Sequence, residues 1–483
     1  MNIELKGVNF TYPDTIKGAL TNINLKIEQG EFVLLVGESG CGKTTITRVL
    51  NGLIPSFYMG NLEGEIYIGD RDIREFNSYE LASIVGSIFQ NPRTQFFNVD
   101  TDSELAFGME NACKSSKEIN SVIEKVTREL KIKRLRARNI FELSGGEKQK
   151  IAFASVYASD PNIYLMDEPS ANLDTSGIIE LKKCMEKIKA QGKTVIIAEH
   201  RLYYLASLVD RVIYLRNGQI EREISGDDFR LMSTETLNNM GLRSNSYARV
   251  HAQNNVRCGY DNGIDGLCLQ GVSVDLGGRR VLNNINRKFS RGRICCVAGE
   301  NGVGKSTLLR TLCGLVRKNS GNIMLDGKEL SARELRKMAF MVMQDVNYQL
   351  FADSVFNECI LGAPKKISNN IEELLDEMGL LAYRDCHPNT LSGGQKQRLA
   401  IVVSIMMNKD ILLFDEPTSG LDYKNMLTCV TFLRKLSDMG KIVIVVTHDE
   451  EFMNCCCDEL YSLNPSPHPI DNKLKQIDIK TPI

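Results

Sequence analysis

The sequence has almost no excess of one charge and no long apolar run, and each absence removes a class of function. Its 59 Lys and Arg residues nearly balance 60 Asp and Glu residues, so the formal net charge is -1. Proteins that bind nucleic acid through its phosphates usually need a basic excess, which is missing here. The longest apolar stretches, such as 32–36 and 442–446, are far shorter than the roughly 20 apolar residues of a membrane-spanning helix. The sequence therefore predicts a globular protein that forms no pore and binds no nucleic acid.

The sequence also lacks the features of a secreted protein. Its first residues contain no basic stretch followed by an apolar run, so no secretory signal peptide is predicted. The 14 cysteines are scattered through a large chain, and without such a signal they are expected to be reduced thiols. Both features predict that the chain stays in the cytosol.

Internal duplication is the main organising feature of the chain. Its 483 residues exceed the about 250 to 300 residues that one hydrophobic core commonly holds. An offset of 248 residues relates LSGGE to LSGGQ, DEPSANLD to DEPTSGLD, and one strand-terminal histidine to another. This duplication predicts two homologous domains at 1–243 and 263–463, a polar linker at 244–262 and a tail at 464–483.

Each half alternates β-branched apolar runs with helical stretches, which is typical of α/β domains with a parallel sheet. Strands are expected at 32–36, 163–167, 194–199, 294–299, 411–415 and 442–448. The key motifs follow these strands, and open α/β sheets bind ligands beyond the carboxyl ends of their strands. The first half is expected to end in a helical pattern at 228–243.

Two glycine-rich loops fit the phosphate-binding pattern GxxxxGK[ST]. Each follows a predicted strand and precedes a helical pattern, so backbone N–H groups and the helix N-terminus would face the phosphates. Lys43 and Lys305 would reach the outer phosphates, while the hydroxyls of Thr44 and Ser306 would bind Mg²⁺. Cys41 lies inside the first loop, where a thiol reagent could block the site, unless the side chain only fills space. The nucleotide-binding residues predicted in the loops are Gly37, Glu38, Ser39, Gly40, Cys41, Gly42, Lys43, Thr44, Thr45, Gly299, Glu300, Asn301, Gly302, Val303, Gly304, Lys305, Ser306 and Thr307.

Two acidic pairs follow apolar strands, Asp167 with Glu168 and Asp415 with Glu416. Each aspartate would hold the Mg²⁺ shell through water, provided that its strand and the phosphate loop are neighbours. Each glutamate could accept a proton from the water that attacks the terminal phosphate. An isolated Asp-Glu pair after a strand is more often a solvated turn, but the phosphate loops favour the catalytic interpretation.

The segments LSGGE and LSGGQ place a hydroxyl group and two glycines ahead of a helical run. They could start a helix with a serine N-cap, or they could direct backbone donors and a helix dipole at an anion. Both interpretations stay open on these residues alone. The candidate nucleotide-binding residues here are Ser144, Gly145, Gly146, Glu147, Ser392, Gly393, Gly394 and Gln395.

The combined motifs resemble those of the ATP-binding-cassette (ABC) ATPases over 1–243 and 264–463. The resemblance rests on a phosphate loop, a glutamine, LSGGx, a strand with DEP, the segment SANLD or TSGLD, and a strand ending in histidine, all present twice. It implies two tandem P-loop NTPase domains of the α/β class. Each would have a RecA-like parallel-sheet core, an antiparallel β subdomain and a helical signature subdomain. ATP and Mg²⁺ are the implied cofactors, and ATP hydrolysis is the implied activity.

The resemblance further implies a head-to-tail pairing of the two halves, within one chain or across a dimer. The phosphate loop of each half would then face the LSGGx segment of the other. Gln90 and Gln344 would sense the terminal phosphate and Mg²⁺, His200 and His448 would contact the terminal phosphate, and Tyr12 would stack on adenine. Both sites keep every hydrolytic residue type, so both are expected to hydrolyse ATP.

The glutamine segments FQNPRTQFF and MQDVNYQLF resemble those in ATPase subunits of energy-coupling-factor importers, which take up vitamins and cobalt or nickel ions. Each segment has a second glutamine five residues after the first. The implied partners are a transmembrane coupling subunit and a small substrate-capture membrane protein, with the chain held peripherally on the cytoplasmic face of the membrane. Phe96, Phe97, Leu350 and Phe351 are expected to line the docking groove, although they could equally be core residues.

Two other classes share this order of motifs. Other importers, such as sugar importers, also fuse two cassettes, but one of their phosphate loops is typically degenerate, whereas both are complete here. Tandem-cassette factors that act on ribosomes carry a long charged helical linker, whereas the linker here is short and not strongly basic. The energy-coupling-factor importer is therefore the preferred interpretation.

Overall fold

The computed structural model of the chain describes residues 1–13, 18–171, 173–247, 266–364 and 371–463. Of the predicted linker, only 244–247 belong to these ranges, and the predicted tail lies outside them. The longest helices in the described ranges contain 16 residues, and none of the described helices is long and apolar enough to cross a membrane.

The first half alternates strands and helices as its sequence pattern predicts. Its strands are β1 (Ile3–Thr11), β2 (Leu20–Ile27), β3 (Phe32–Val36), β4 (Asn61–Ile68), β5 (Arg71–Asp72), β6 (Val85–Ile88), β7 (Ile163–Asp167), β8 (Thr194–Ala198), β9 (Arg211–Arg216) and β10 (Gln219–Ser225). Its helices are α1 (Lys43–Leu50), α2 (Leu53–Ser56), α3 (Ser78–Ile84), α4 (Thr101–Asn111), α5 (Ser116–Glu129), α6 (Gly145–Ser159), α7 (Thr175–Ala190), α8 (Gly226–Leu231) and α9 (Thr234–Asn239).

The second half repeats this plan. Its strands are β11 (Leu267–Leu276), β12 (Arg279–Phe289), β13 (Arg293–Ala298), β14 (Ser320–Leu325), β15 (Lys328–Glu329), β16 (Ala339–Val342), β17 (Ile411–Asp415), β18 (Ile442–Val446) and β19 (Glu459–Ser462). Its helices are α10 (Lys305–Leu312), α11 (Ala332–Met338), α12 (Val355–Ile360), α13 (Ile371–Glu377), α14 (Gly393–Met406), α15 (Tyr423–Asp438) and α16 (Glu450–Cys456).

Each half contains a small antiparallel sheet and a larger, mainly parallel one. The antiparallel sheets have the orders β2-β1-β4-β5 and β12-β11-β14-β15. The larger sheets have the orders β10-β9-β3-β8-β7-β6 and β16-β17-β18-β13-β19, and only the β9–β10 pair in them is antiparallel. The predicted α/β class with a parallel core and an antiparallel β subdomain is therefore confirmed in both halves.

The parallel sheets are covered on both faces, which explains why their strands are continuous apolar runs. Along β3, Phe32, Leu34 and Val36 belong to one buried cluster, while Val33 and Leu35 belong to another. Successive side chains of a strand point to opposite faces, so these two clusters lie on opposite sides of the sheet. The second half has the same pair of clusters around β13.

The end of the first half differs from its predicted form. The helical pattern at 228–243 is divided into α8 and α9, which are separated at Met232 and Ser233. The hydroxyl of Ser233 accepts a hydrogen bond from the backbone N–H of Thr236, so it caps a new helix instead of continuing the old one. The segment after α9 then runs to the second half.

Candidate nucleotide sites

The two phosphate loops connect β3 to α1 and β13 to α10, and their first glycines are required by close packing. Gly37 has a φ of 148°, and a Cβ atom there would lie 2.2 Å from the carbonyl oxygen of Leu215. Gly299 has a φ of 154°, and its Cβ atom would lie 2.5 Å from the carbonyl oxygen of Leu463. Only glycine fits a backbone at these distances and in this conformation.

A buried lysine closes each phosphate loop. The ammonium group of Lys43 donates to the carbonyl oxygens of Gly37 and Glu38 at 2.9 and 3.1 Å. Lys305 makes the same two bonds in the second loop, at 2.6 and 2.9 Å. An ammonium group has three donors, and the third donor of Lys43 contacts Cys41 Sγ at 3.8 Å, a weak acceptor that a phosphate oxygen in the loop could replace.

A hydroxyl and a carboxylate meet beside each loop, in a combination that suits Mg²⁺. The hydroxyl of Thr44 donates to Asp167 Oδ1 at 3.1 Å, and Ser306 hydrogen-bonds to Asp415 in the second half. Burial raises the pKa of both aspartates, while these hydrogen bonds oppose the increase. Hard oxygen ligands of this kind are those that Mg²⁺ prefers. The strand ends and phosphate loops are neighbours, as the Mg²⁺ assignment requires.

Glu168 lies at the centre of the first site. Its carboxylate accepts a hydrogen bond from Gln90 Nε2 at 2.7 Å, and its Oε1 lies 3.4 Å from His200 Nε2. Burial raises the pKa of Glu168 to about 8, and the negative charges of Asp167 and Glu199 add to this increase. Burial also holds the pKa of His200 well below its ordinary value. A carboxylate with a pKa near neutrality can accept a proton from water.

Glu416 occupies the equivalent position in the second site. The backbone N–H of His448 donates to Glu416 Oε2 at 3.3 Å, while His448 Nε2 lies 3.6 Å from Glu416 Oε1. Burial raises the pKa of Glu416 to about 7 and lowers that of His448 to about 4. These two facing atoms are buried and have no hydrogen-bond partner among the described residues. Buried polar atoms are costly unless a ligand or water meets them, so the site fits a hydrated metal and a phosphate.

A cavity of about 200 Å³ at the second phosphate loop is built from both halves. From the second half it is lined by Val281, Asn301, Gly302, Gly304, Lys305, Ser306, Thr307, Gln344, Asp415, Glu416, Val446 and His448. From the first half it is lined by Ala171, Leu173 and Arg201. Most of the residues predicted to bind phosphate and Mg²⁺ in the second half therefore share one cavity, which residues of the first half complete; Gly299, Glu300 and Val303 of the predicted loop do not line it.

The two halves contact each other head to tail through their phosphate loops. The backbone N–H of Ser39 donates to Asp422 at 2.6 Å, and the backbone N–H of Asn301 donates to Asp174 at 3.0 Å. These aspartates end the TSGLD and SANLD segments of the opposite halves. A Cβ atom on Gly146 would lie 3.7 Å from the Asn301 amide nitrogen, so LSGGE also faces the second phosphate loop.

Both LSGGx serines start a helix, as one of the two interpretations predicted. The hydroxyl of Ser144 accepts from the backbone N–H of Glu147 at 3.3 Å, and the Glu147 carboxylate accepts from the Ser144 N–H at 2.9 Å. Ser392 and Gln395 form the same reciprocal pair at the start of α14. A carboxylate and an amide oxygen both accept this bond, which explains how glutamate replaces glutamine in the first half.

Tyr12 lies against the start of α1, next to the first phosphate loop. Its hydroxyl accepts a hydrogen bond from Arg48 at 3.0 Å and lies 3.4 Å from Thr45 Oγ1, and its ring packs edge-on against Phe10. Its proposed stacking on adenine stays a prediction. Cys41 is buried in the loop, and burial raises the pKa of its thiol, so the space-filling interpretation is favoured.

Glu199 and Arg201, which flank His200, were not predicted as site residues from the sequence. The buried carboxylate of Glu199 accepts hydrogen bonds from the backbone N–H groups of His200 and Arg201 at 2.8 and 3.1 Å, and from the Tyr204 hydroxyl at 2.8 Å. It therefore fixes the loop that carries His200. Their importance could have been suspected from one difference between the halves, since Glu-His-Arg in the first half corresponds to Thr-His-Asp in the second.

Known proteins resemble this chain in sequence and in fold. The family model for the ABC transporter matches residues 20–171 and 282–419. A Treponema denticola protein named as an ABC transporter ATP-binding protein is 47% identical, over 96% of this chain and 95% of the relative. One so named from Methanosarcina acetivorans is 33% identical, over 93% of this chain and 82% of the relative.

A solved structure has the same tandem fold. It is the complex of the archaeal ribosomal stalk protein aP1 and the archaeal ribosome recycling factor aABCE1, with a TM-score of 0.64 and 22% identity. The match covers 94% of this chain and 87% of the other, and at this identity it shows the fold alone. The fold alone does not show the family. The family model does, together with relatives that match over most of their length. The chain belongs to the ABC transporter family and is an ATPase with two ABC domains in tandem.

Proposed function

We propose that this chain is the ATPase subunit of an importer of the energy-coupling-factor type. It would act at the cytoplasmic face of the membrane and power uptake of a vitamin or a transition-metal ion through separate membrane subunits. Family membership supports ATP hydrolysis and a transport role. The choice of partners rests on one repeated observation, an exposed phenylalanine at the end of each glutamine segment.

The two exposed rings occupy equivalent positions. Phe97 and Phe351 are 76% and 74% exposed, and each lies seven residues after the first glutamine of its segment. Large apolar side chains on a surface are normal when single, but a matched pair in two homologous halves indicates a shared role. A membrane protein that presents one helix to each half would contact both rings.

Buried carboxylates hold both rings outward. Glu104 accepts hydrogen bonds from the backbone N–H groups of Phe97 and Asn98 at 3.1 and 3.0 Å. Glu358 makes the same pair of bonds with Phe351 and the residue after it, at 2.8 and 2.7 Å. Both glutamate side chains are buried, so each turn is fixed from inside the domain. The rings are therefore exposed by a defined backbone turn.

The second glutamines shape the same turns. The amide oxygen of Gln95 accepts from the backbone N–H of Phe89 at 3.3 Å, and that of Gln349 accepts from the N–H of Met343 at 2.7 Å. The glutamine spacing that resembles energy-coupling-factor ATPases therefore has a structural use in this chain. It folds each segment so that the phenylalanine two residues after the second glutamine points outward.

The predicted docking surface is smaller than the sequence indicated. Phe96 packs against the core and Leu350 is buried, so only Phe97 and Phe351 of the four predicted residues are freely exposed. Next to Phe97 lies an apolar groove of about 270 Å³, where its ring stacks on Phe107 with centroids 4.9 Å apart. A groove with apolar walls suits the apolar face of an amphipathic helix.

The same segment reaches the site of hydrolysis. Gln90 begins the turn that ends at Phe97, and its amide donates to Glu168 at 2.7 Å. A partner helix that displaces the turn would therefore alter the hydrogen bond to the proposed general base. This contact gives a direct route by which docking and hydrolysis could depend on each other.

The proposal is tested by co-purification. The tagged chain would be expressed in a related host, and membranes solubilised in mild detergent would be analysed by mass spectrometry. We expect a polytopic subunit and a small substrate-capture membrane protein, whose bound ligand would identify the cargo. Recovery of ribosomal proteins without membrane subunits would refute the proposal that the chain belongs to an importer.

A matched pair of variants tests the docking surface itself. The double variant F97D/F351D should lose the membrane subunits without lowering the melting temperature, because exposed side chains contribute little to stability. The control L231D changes a residue that is 84% exposed on α8, away from the glutamine segments, and should retain them. Equal retention by both variants would contradict docking through the two phenylalanines.

A further inference from the structure

Three cysteines of the second half meet beside the strand that leads to the second phosphate loop. Cys296 lies on β13, Cys456 ends α16, and Cys457 directly follows that helix. The thiol of Cys296 hydrogen-bonds to the thiols of both Cys456 and Cys457. Cys296 and Cys456 belong to one buried cluster, and Cys457 packs against it. Thiols from opposite ends of the second half are therefore in contact.

The backbone fixes Cys457 beside β13. Strands β13 and β19 are parallel neighbours, and Cys457 precedes β19 by two residues. The backbone N–H of Asp458 donates to the carbonyl oxygen of Ile294 at 3.0 Å, and the Asp458 carboxylate accepts from the N–H of Ile294 at 2.8 Å. Ile294 and Cys296 are two residues apart on one strand, so their side chains point to the same face. The turn that carries Cys457 is therefore held next to the Cys296 side chain.

The four cysteines in this region differ in exposure. Of the three consecutive cysteines at the end of α16, Cys455 is exposed, Cys456 is buried and Cys457 is partly exposed. Cys296 is 0% exposed. A dissolved oxidant can therefore reach Cys457, whereas Cys296 can react only with a group that already lies inside the domain.

The contacts of Cys457 favour its reactive form. The hydrogen bond with the Cys296 thiol lowers the pKa of Cys457, although burial opposes this decrease. Cys296 keeps its proton, because its hydrogen bonds with the two neighbouring thiols and its burial raise its pKa well above the ordinary value. The thiolate is the nucleophilic form of cysteine. Cys457 would therefore react first with an oxidant, and the thiol of Cys296 lies beside it.

We propose that Cys457 and Cys296 form a peroxide-sensitive pair that closes to a disulfide and lowers ATP hydrolysis at the second nucleotide site. The pair is a site of covalent modification outside the nucleotide-binding motifs. The inference rests on the proposed assignment of the second nucleotide site, and it does not depend on which membrane partners the chain has.

The oxidant is hydrogen peroxide, and the reaction needs no other reagent. The Cys457 thiolate attacks one peroxide oxygen, the O–O bond breaks, and the departing hydroxide takes up a proton to become water, which leaves a sulfenic acid on Cys457. The Cys296 sulfur then attacks the Cys457 sulfur, and the S–O bond breaks as the disulfide forms. The second hydroxide leaves with the proton of the Cys296 thiol. Two thiols thus lose two electrons and two protons, and one peroxide becomes two water molecules.

The disulfide would join two elements that reach the second nucleotide site. β13 leads into the phosphate loop at Gly299, three residues after Cys296. The N-cap of α16 is Asp449, which directly follows His448. Forming the bond brings the two sulfurs from hydrogen-bond distance to covalent distance, so β13 and the end of α16 must move toward each other. A close-packed interior transmits such a shift, which should displace the phosphate loop and His448.

The matching positions of the first half are occupied by aliphatic residues. Leu34 lies three residues before the first phosphate loop, as Cys296 does before the second. Val209 lies two residues before β9, as Cys457 does before β19. Both aliphatic side chains are buried. The fold can therefore be built without thiols at these positions, so variants that remove them are suitable for an experiment.

Disulfide mapping on the intact chain tests the inference. The purified protein would be treated with hydrogen peroxide, its remaining thiols blocked with N-ethylmaleimide, and linked peptides identified by mass spectrometry. Phosphate release would be measured before oxidation, after it, and after dithiothreitol. The variants are Cys457→Ser, Cys296→Ala and the control Cys455→Ser, which removes the exposed thiol two residues before Cys457. Melting curves of the reduced proteins would show which variants are folded.

We expect oxidised wild type to yield a linked peptide pair that contains Cys296 and Cys457. Its phosphate release should fall to about half or less and recover in dithiothreitol, because displacement of a site by about 1 Å can abolish most of its activity. C457S and C296A should form no such link and should keep their activity in peroxide. In C296A, dimedone should trap the sulfenic acid on Cys457. C455S should behave like the wild type.

Three results would overturn the inference. Absence of the linked pair in oxidised wild type would show that the two thiols do not react together. A linked pair with unchanged phosphate release would show that it does not act on the second site. An equal loss of phosphate release in C457S would place the sensitive group elsewhere. These measurements need no membrane partner, so the transport proposal is tested separately.

Discussion

The buried ion pair between the halves should make a large contribution to stability. Arg243, at the end of the first half, lies with Nη1 2.5 Å from Asp449 Oδ2, and its Nε donates to the carbonyl oxygen of Leu421 at 3.0 Å. The two charged side chains are only 3% and 4% exposed. Replacing Arg243 with alanine would leave Asp449 buried without its hydrogen-bonded cation, although the charge of Arg201 and the Thr418 hydroxyl would still face it.

The size of the effect follows from that burial. Breaking a buried pair by removing one partner costs ~3–5 kcal/mol in unfolding free energy when the remaining charge is not compensated, so we expect the lower end of this range for Asp449. The second change D449N should recover a large part of this loss, since the amide is neutral and its oxygen can still cap α16 through the N–H of Phe452. The double variant should therefore be more stable than R243A alone.

The assay is urea unfolding followed by circular dichroism, with R216A as the control. Arg216 is 61% exposed in its pair with Glu221, and its loss should cost ~1 kcal/mol or less. The charge of Arg243 holds the pKa of Asp449 below its ordinary value although burial opposes this. The stabilisation from this pair is thus present above the unfolded pKa of Asp449 and is lost as pH falls through the folded pKa. A cost below ~1 kcal/mol for R243A, or no recovery in the double variant, would refute the reasoning.

Three further predictions concern the nucleotide sites. The variant E168Q/E416Q should lower phosphate release about a hundredfold or more while binding of a fluorescent nucleotide persists, because only the proposed bases are lost. Phosphate release by the wild type should increase as the pH rises through 7 to 8, since burial raises the pKa of Glu416 to about 7 and that of Glu168 to about 8; a flat profile would contradict the roles of these bases. N-ethylmaleimide should label the exposed Cys113 and Cys386 before the buried Cys41, as mass spectrometry would show, and early labelling of Cys41 would contradict its burial.

Much of the fold follows from patterns within single elements. The apolar runs at 32–36, 163–167 and 411–415 form strands with those bounds, because a parallel strand covered on both faces must be apolar throughout. The constant offset predicted two similar halves. The N-cap role of the serines of LSGGE and LSGGQ was one of two interpretations left open, and in the structure the glutamate or glutamine three residues later completes a capping box with each serine.

Contacts between distant segments did not follow from the sequence. Glu104 and Glu358 look like ordinary acidic residues in the first turn of a helix, but both are buried and hold the turn of a glutamine segment. Arg243 lies at a predicted domain boundary, where a charged residue is normally solvated, and instead pairs with Asp449. Local periodicity reports which face of an element is apolar, and it contains no information about which distant charge meets a buried one.

The pairing of the halves depends on carboxylates that serve both sides at once. Asp174 caps α7 by accepting from the N–H of Gly177 at 2.8 Å and also accepts from Asn301 of the second half. Asp422 caps α15 through Asn425 and also accepts from Ser39 of the first half. When the halves separate, each aspartate keeps its helix and loses the opposite phosphate loop. The same two carboxylates therefore serve a helix cap and the junction of the halves, and because both halves belong to one chain, their pairing is an intramolecular step with a high effective concentration.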